Sequence, residues 1–126
     1  EINKDYVDFV KKWSHNQLFI NQKKINLSGW EAQQKTRLDQ NETQLSLSLQ
    51  FLGIGKMPPL WDKIKKLQSS VILITGSEDS KYCRIAIECL QKIPDCKWVN
   101  ISNCGHNVHL EQSTQFVESI KSFLQS

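Results

Sequence analysis

Two short apolar runs rich in β-branched residues, Val71-Ile72-Leu73-Ile74-Thr75 and Trp98-Val99-Asn100-Ile101, flank a stretch whose apolar residues recur at helical spacing. That stripe is Ile85, Ala86, Cys89, Leu90 and Ile93, and Pro94-Asp95 closes it. Strand, helix and strand in this order predict a βαβ unit. A parallel crossover returns the second strand alongside the first, so both strands end on the same edge of the sheet. The turn Gly76-Ser77-Glu78-Asp79-Ser80-Lys81 leaves one strand end, and the loop Cys104-Gly105-His106-Asn107-Val108-His109 leaves the other. Asp79 and His106 are therefore expected to open into one crevice, where open α/β sheets keep their chemistry.

The first run is continuously apolar, as in a strand buried on both faces. Two parallel strands do not make a stable sheet alone. They are expected to be the last two of a larger sheet whose earlier strands precede Glu1, and the absence of an initial methionine suggests a processed chain or a piece of a longer protein. The rest of the pattern is helical. Ile2, Tyr6, Val10 and Trp13 predict an amphipathic helix over 2–13, and a second is expected over 30–38. Over 43–52, Leu45, Leu47 and Leu49 alternate as in a strand, whereas Leu45, Leu49 and Leu52 make a helical stripe. Helix is preferred because no turn signal bounds a strand there. Gly53 and Gly55 end it, Pro58-Pro59 punctuate the loop, and 60–67 is predicted as a short helix opening at a proline, with Trp61 on its inner side. Phe116, Val117, Ile120, Phe123 and Leu124 predict a last amphipathic helix capped by Ser113 or Thr114. The expected organisation is a helical segment over 1–68 and a closing β-α-β-α over 69–126.

With 126 residues the chain holds one modest core. Its net charge of +3 arises from 16 basic and 13 acidic residues spread along the sequence, and pairs such as Lys11-Lys12 and Lys65-Lys66 read as solvated helix faces. No nucleic-acid partner is expected. No apolar run approaches the roughly 20 residues of a membrane span, and neither end resembles a targeting signal, so a soluble, cytoplasmic protein is expected. Cys83, Cys89, Cys96 and Cys104 include no C-x-x-C pair, and the cluster Cys104, His106 and His109 lacks a fourth ligand and zinc spacings. Reduced, packed thiols are expected, with no metal and no cofactor.

A carboxylate beside an imidazole orients the ring and stabilises its protonated form, while the ring takes a proton from a hydroxyl or thiol. Asp79 and His106 fit the first relation. Asp79 equally suits a helix cap after a strand, and His106 a loop histidine held by backbone. The nucleophile elbow G-x-S-x-G does not occur, and Cys104 lies too close to His106 in a stiff loop to pair with it. On these residues alone the pair remains two thirds of a triad.

Gly76-Ser77-Glu78-Asp79-Ser80-Lys81-Tyr82 followed by Cys104-Gly105-His106-Asn107-Val108-His109-Leu110-Glu111 resembles the C-terminal half of α/β-hydrolase-fold proteins. More narrowly it is similar to the 2-succinyl-6-hydroxy-2,4-cyclohexadiene-1-carboxylate synthase family, pyruvate-eliminating lyases of menaquinone and phylloquinone biosynthesis. Trp13 with Leu18-Phe19 resembles that family's W-x(3–4)-P-[LV]-F cap segment, although Gln17 stands where proline is usual. Arg37-Leu38-Asp39-Gln40-Asn41 resembles its arginine-bearing cap helix, and Gly53-Ile54-Gly55-Lys56-Met57-Pro58-Pro59-Leu60-Trp61 its G-x-G-x-x-P-x-L-W stretch. The resemblance implies a helical cap segment joined to the last two strands of the hydrolase sheet. It implies Asp79 as triad acid, His106 as triad base, Arg37 as partner of a substrate carboxylate, and Trp13 and Phe19 as the apolar side of the pocket. His109 and Glu111 fall to packing and capping. The serine and oxyanion hole would belong to the missing N-terminal half, leaving the isolated chain inactive. A photosynthetic source would imply a plastid location. Two rivals stay open: a related serine esterase or thioesterase using the same pair, and a non-catalytic module that completes a partner's sheet.

Overall fold

The computed structural model describes residues 4–19 and 21–126. Helix α1 (Lys4–Ser14) leads through a 3-10 turn (Gln17–Phe19) into the one-turn helix α2 (Gln22–Ile25), followed by α3 (Leu27–Leu38) and α4 (Glu42–Leu52). Then come β1 (Val71–Gly76), α5 (Ser80–Leu90), β2 (Cys96–Ile101), the short α6 (Val108–Glu111) and α7 (Ser113–Leu124). The helical segment followed by β-α-β-α is as expected. Ile2, assigned to the first stripe, lies outside the described residues.

The strands pair in parallel from Val71 opposite Cys96 to Gly76 opposite Ile101. Alternation along the strands sends successive side chains to opposite faces. Thr75, Trp98 and Asn100 face α5, with Trp98 Nε1 donating to Thr75 Oγ1 at 2.9 Å and the Cys83 thiol of α5 reaching Asn100 Oδ1 at 3.7 Å. On the α7 face, Ile74, Val99 and Phe116 pack around the buried cluster Ile101, Cys104 and Val108. Helices thus cover both faces of the pair.

Several expectations need correction. Residues 60–67 form no continuous helix, only a 3-10 turn at Ile64–Lys66, and Trp61 is 38% exposed rather than inward. Pro58 and Pro59 hold the preceding backbone extended, and no side-chain cap follows to offset the cost of nucleating a helix. Neither Ser113 nor Thr114 caps α7, because Gln112 occupies the N-cap position without a side-chain bond. α3 starts at Leu27 instead of Trp30, since Asn26 supplies the cap by accepting from the Gly29 N–H at 2.9 Å. β1 is half-buried, not buried on both faces, because among the described residues only one of its edges is paired. α4 is the helix expected over 43–52, yet Leu47, Leu49, Phe51 and Leu52 are exposed. No helix of the described residues is long and apolar enough to cross a membrane.

Candidate active site

Parallel register decides where the two loops meet. Gly76 and Ile101 end their strands side by side, and the loops are then stitched together by Ser77 N–H donating to Ile101 O at 2.8 Å and Glu78 N–H to Cys104 O at 2.9 Å. Glycine is required at position 76 because a Cβ there would collide with the carbonyl oxygens of Cys104 and Gly105. Asp79 sits at the N-cap of α5, where Oδ1 accepts from the Tyr82 N–H at 3.1 Å. Its Oδ2 accepts from His106 Nδ1 at 2.6 Å. The helix-cap reading and the acid reading of Asp79 are therefore both realised, one on each oxygen.

The His106 loop is fixed from below. Asn103 turns the chain after β2 at φ 52°, a left-handed conformation that asparagine tolerates. Cys104 is fully buried, and burial, with Glu111 and Glu78 adding to it, pushes its thiol up to about 12. It is a protonated packing group and not a nucleophile. Glu111, itself buried, accepts from Gly105 N–H at 2.5 Å and from Asn107 N–H at 3.2 Å, so it caps the loop on both sides of His106. His109 packs against Phe116 with ring centroids 6.1 Å apart. These two residues behave as the packing and capping groups expected.

With Asp79 Oδ2 as acceptor, Nδ1 of His106 is the donor, and in the neutral ring this tautomer leaves Nε2 as the acceptor. The imidazole is 27% exposed and lies 4.7 Å from the Tyr82 ring and 6.0 Å from that of Phe19. It opens on a polar cleft of about 340 Å³ lined also by Leu18, Asn21, Glu78, Lys81 and Gly105. Asn21 spans this cleft by donating to the Glu78 carboxylate.

Phe19 touches residues of both this cleft and a second, apolar cavity of about 210 Å³ lined by Tyr6, Phe9, Val10, Trp13, Leu45 and Arg37. Its ring contacts those of His106 and Trp13, the latter at 6.2 Å, and the Arg37 guanidinium lies 5.1 Å over it. Arg37 is not a freely solvated charge. Nη1 donates to Ser14 Oγ at 3.1 Å, Nη2 donates to Gln33 Oε1 at 2.9 Å, and partial burial lowers its pKa while leaving it cationic. Trp13 is not core, being 48% exposed and stacked on Phe9 at 6.2 Å. Among buried described side-chain atoms, the Gln34 amide nitrogen is left without a partner. Turning that amide over would let it donate to Ser14 Oγ, whose single proton then goes to Val10 O at 2.7 Å.

All five sequence-derived candidates, Asp79, His106, Arg37, Trp13 and Phe19, are thus joined in one run of contacts. Tyr82, Gln22, Gln33 and Asn107 were not foreseen as site residues. Tyr82, three residues after Asp79 on a helix, had a readable signal in that spacing; the glutamines, set among ordinary polar helix residues, had none. The described residues include no cluster of three or more His, Cys, Asp or Glu able to hold a metal ion.

No family model matches the sequence. The chain is 31% identical, over 94% of its length, to a Bacillus subtilis protein described as a 2-succinyl-6-hydroxy-2,4-cyclohexadiene-1-carboxylate synthase, and it spans 43% of that protein. It is 30% identical over 60% of its length to the chloroplastic protein PHYLLO of Arabidopsis thaliana, of which it spans 5%. Among solved structures, MenH from S. aureus superposes with a TM-score of 0.90 at 29% identity, over 96% of this chain and 48% of that one. A 2-hydroxy-6-oxo-6-phenylhexa-2,4-dienoate hydrolase from Rhodococcus superposes with a TM-score of 0.62 at 14% identity, over 100% of this chain and 50% of that one. That likeness speaks for the fold alone.

Proposed function

Given that the chain is the C-terminal part of an α/β-hydrolase fold similar to the 2-succinyl-6-hydroxy-2,4-cyclohexadiene-1-carboxylate synthases, we propose that it supplies the acid, the base and a carboxylate anchor of such a lyase. The supporting observation is the Asp79–His106 bond of 2.6 Å, with Nε2 of the imidazole unengaged by the carboxylate and Phe19 linking the ring to Arg37. Asp79 orients the ring and offsets the charge it gains on taking a proton. His106 raises the basicity of a serine hydroxyl contributed by the complementary half of the fold. As that hydroxyl passes its proton to His106 Nε2, its oxygen takes the substrate proton, and pyruvate leaves by elimination without a covalent acyl intermediate. An oxyanion hole from the same half holds the developing enolate.

Arg37 presents a planar fork to a substrate carboxylate, while Trp13 and Phe19 shield its apolar part. Ser80 lines the cleft beside Asp79 but on the strand-to-helix turn of the acid; with the nucleophilic serine assigned to the complementary half of the fold, the chain alone is expected to be inactive. The test is release of pyruvate from the succinyl-cyclohexadiene substrate by the full-length or reconstituted protein. Turnover of simple esters without pyruvate release would assign the site to an esterase or thioesterase instead. Full biological activity with His106 replaced would leave the sheet-completing module.

A further inference from the structure

A polar chain runs unbroken from the His106 loop to the Arg37 guanidinium. Asn107, the residue after His106, donates from Nδ2 to Gln22 Oε1 at 2.9 Å. Gln22 donates from Nε2 to Gln33 Oε1 at 2.9 Å, and the same oxygen accepts from Arg37 Nη2 at 2.9 Å. Gln22 is fully buried, with 0% of its surface exposed. A glutamine so enclosed has no water to bond, and both ends of its amide are committed: the oxygen toward the loop, the nitrogen toward the arginine. The direction of the chain is fixed at its far end by Arg37, which can only donate: Gln33 must turn its oxygen to the guanidinium, and the same oxygen accepts from Gln22. A second tie, Asn26 Nδ2 donating to Leu110 O at 2.9 Å, holds the start of α3 to α6.

We infer that Gln22 is a positioning residue which couples the carboxylate-binding guanidinium of Arg37 to the placement of the His106 loop. This rests on the reading above, in which Arg37 and His106 serve one substrate. Replacing the amide with an apolar chain of similar length strands the Asn107 donor in a dry site. It also removes one of the two bonds that hold the Gln33 oxygen, so the acceptor facing Arg37 is less firmly placed. Loss of one oriented, charge-assisted contact of this kind corresponds to about tenfold in affinity.

The experiment is a double-mutant cycle in the full-length or reconstituted protein, with succinate as a dicarboxylate probe measured by calorimetry and pyruvate release measured in parallel. Gln22→Met is expected to weaken succinate about tenfold, and Arg37→Ala is expected to cost much less in the Gln22→Met background than in the wild type. Gln33→Met, at a half-exposed position, weakens succinate similarly but spares kcat, because the Asn107–Gln22 bond survives; Gln22→Met lowers kcat as well. Should Gln22→Met fail to fold, Gln33→Met decides. Succinate affinity within twofold of wild type in the folded variant, an additive cycle, or no succinate binding by the wild type overturns the coupling. If succinate binds with the expected non-additivity but no pyruvate is released, the coupling stands and the lyase reading falls.

Discussion

The two halves of the molecule hold their functional side chains by different means. In the closing β-α-β-α region, Asp79 and His106 stand on loops whose backbones are bonded to each other and to the strand ends, with Glu111 pinning the loop on both sides of the imidazole. In the helical region, Arg37 is held by side chains alone, Ser14 and Gln33, and leans on Phe19. Backbone ladders are set by register and tolerate little play, whereas side-chain networks can be rearranged by a single amide. The Asp79–His106 pair is built as a rigid element, and Arg37, the proposed carboxylate anchor, as an adjustable one.

Five variants of the full-length or reconstituted protein would break or sharpen that contrast. The largest effect is expected at the rigid pair. His106→Gln should lower turnover by about a thousandfold, the scale of a lost positioned base. Asp79→Asn should lower it by at least about a hundredfold while leaving thermal stability within about 0.5 kcal/mol, because the amide oxygen can still cap α5. A fall in stability matching the fall in turnover would mean that Asp79 is only a cap.

Next comes the backbone that carries the pair. Gly76→Ala forces a Cβ against two carbonyl oxygens and should cost about 1–3 kcal/mol in a denaturation experiment. An unchanged midpoint would show that the strand ends can spread, and the rigid half would lose its distinction. At the adjustable half, Arg37→Lys keeps the charge but loses the fork, and KM for a carboxylate substrate should rise about tenfold with kcat little changed. Equal losses in both constants would place Arg37 in the transition state instead.

The smallest effect concerns the buried thiol beneath the His106 loop. Its folded pKa of about 12 lies above the ordinary value of 9.0, so as pH rises past 9 the unfolded chain releases this proton first. The Cys104 contribution is complete below pH 9 and is lost between 9 and about 12. Cys104→Ala should therefore lose less stability than wild type over that interval, in paired alkaline titrations. Parallel curves would mean that the thiol is less enclosed than its contacts imply.

Much of the closing half was legible in the sequence. Val71 and its neighbours, the stripe ending at Ile93 and the strand ending at Ile101 follow from periodicity, and parallel strand ends follow from the crossover rule. The helical half was legible only as helices. Alternation at Leu45, Leu47 and Leu49 does not say which face is covered, and α4 leaves most of its apolar residues exposed. Residues 60–67 show the same limit, since a proline before apolar residues suits an extended loop as well as a helix start.

The sequence by itself determined that Asp79 and His106 meet, because local pattern sets strand and helix and the handedness of the crossover does the rest. What only the tertiary structure decided is how Arg37 is brought to that pair. Its partners Gln33 and Ser14, and Gln22 and Asn107 beyond them, are polar residues with no periodic signal of their own. Their meaning arises from burial, where an amide with no water available must find its bonds in whatever side chains the packing places beside it.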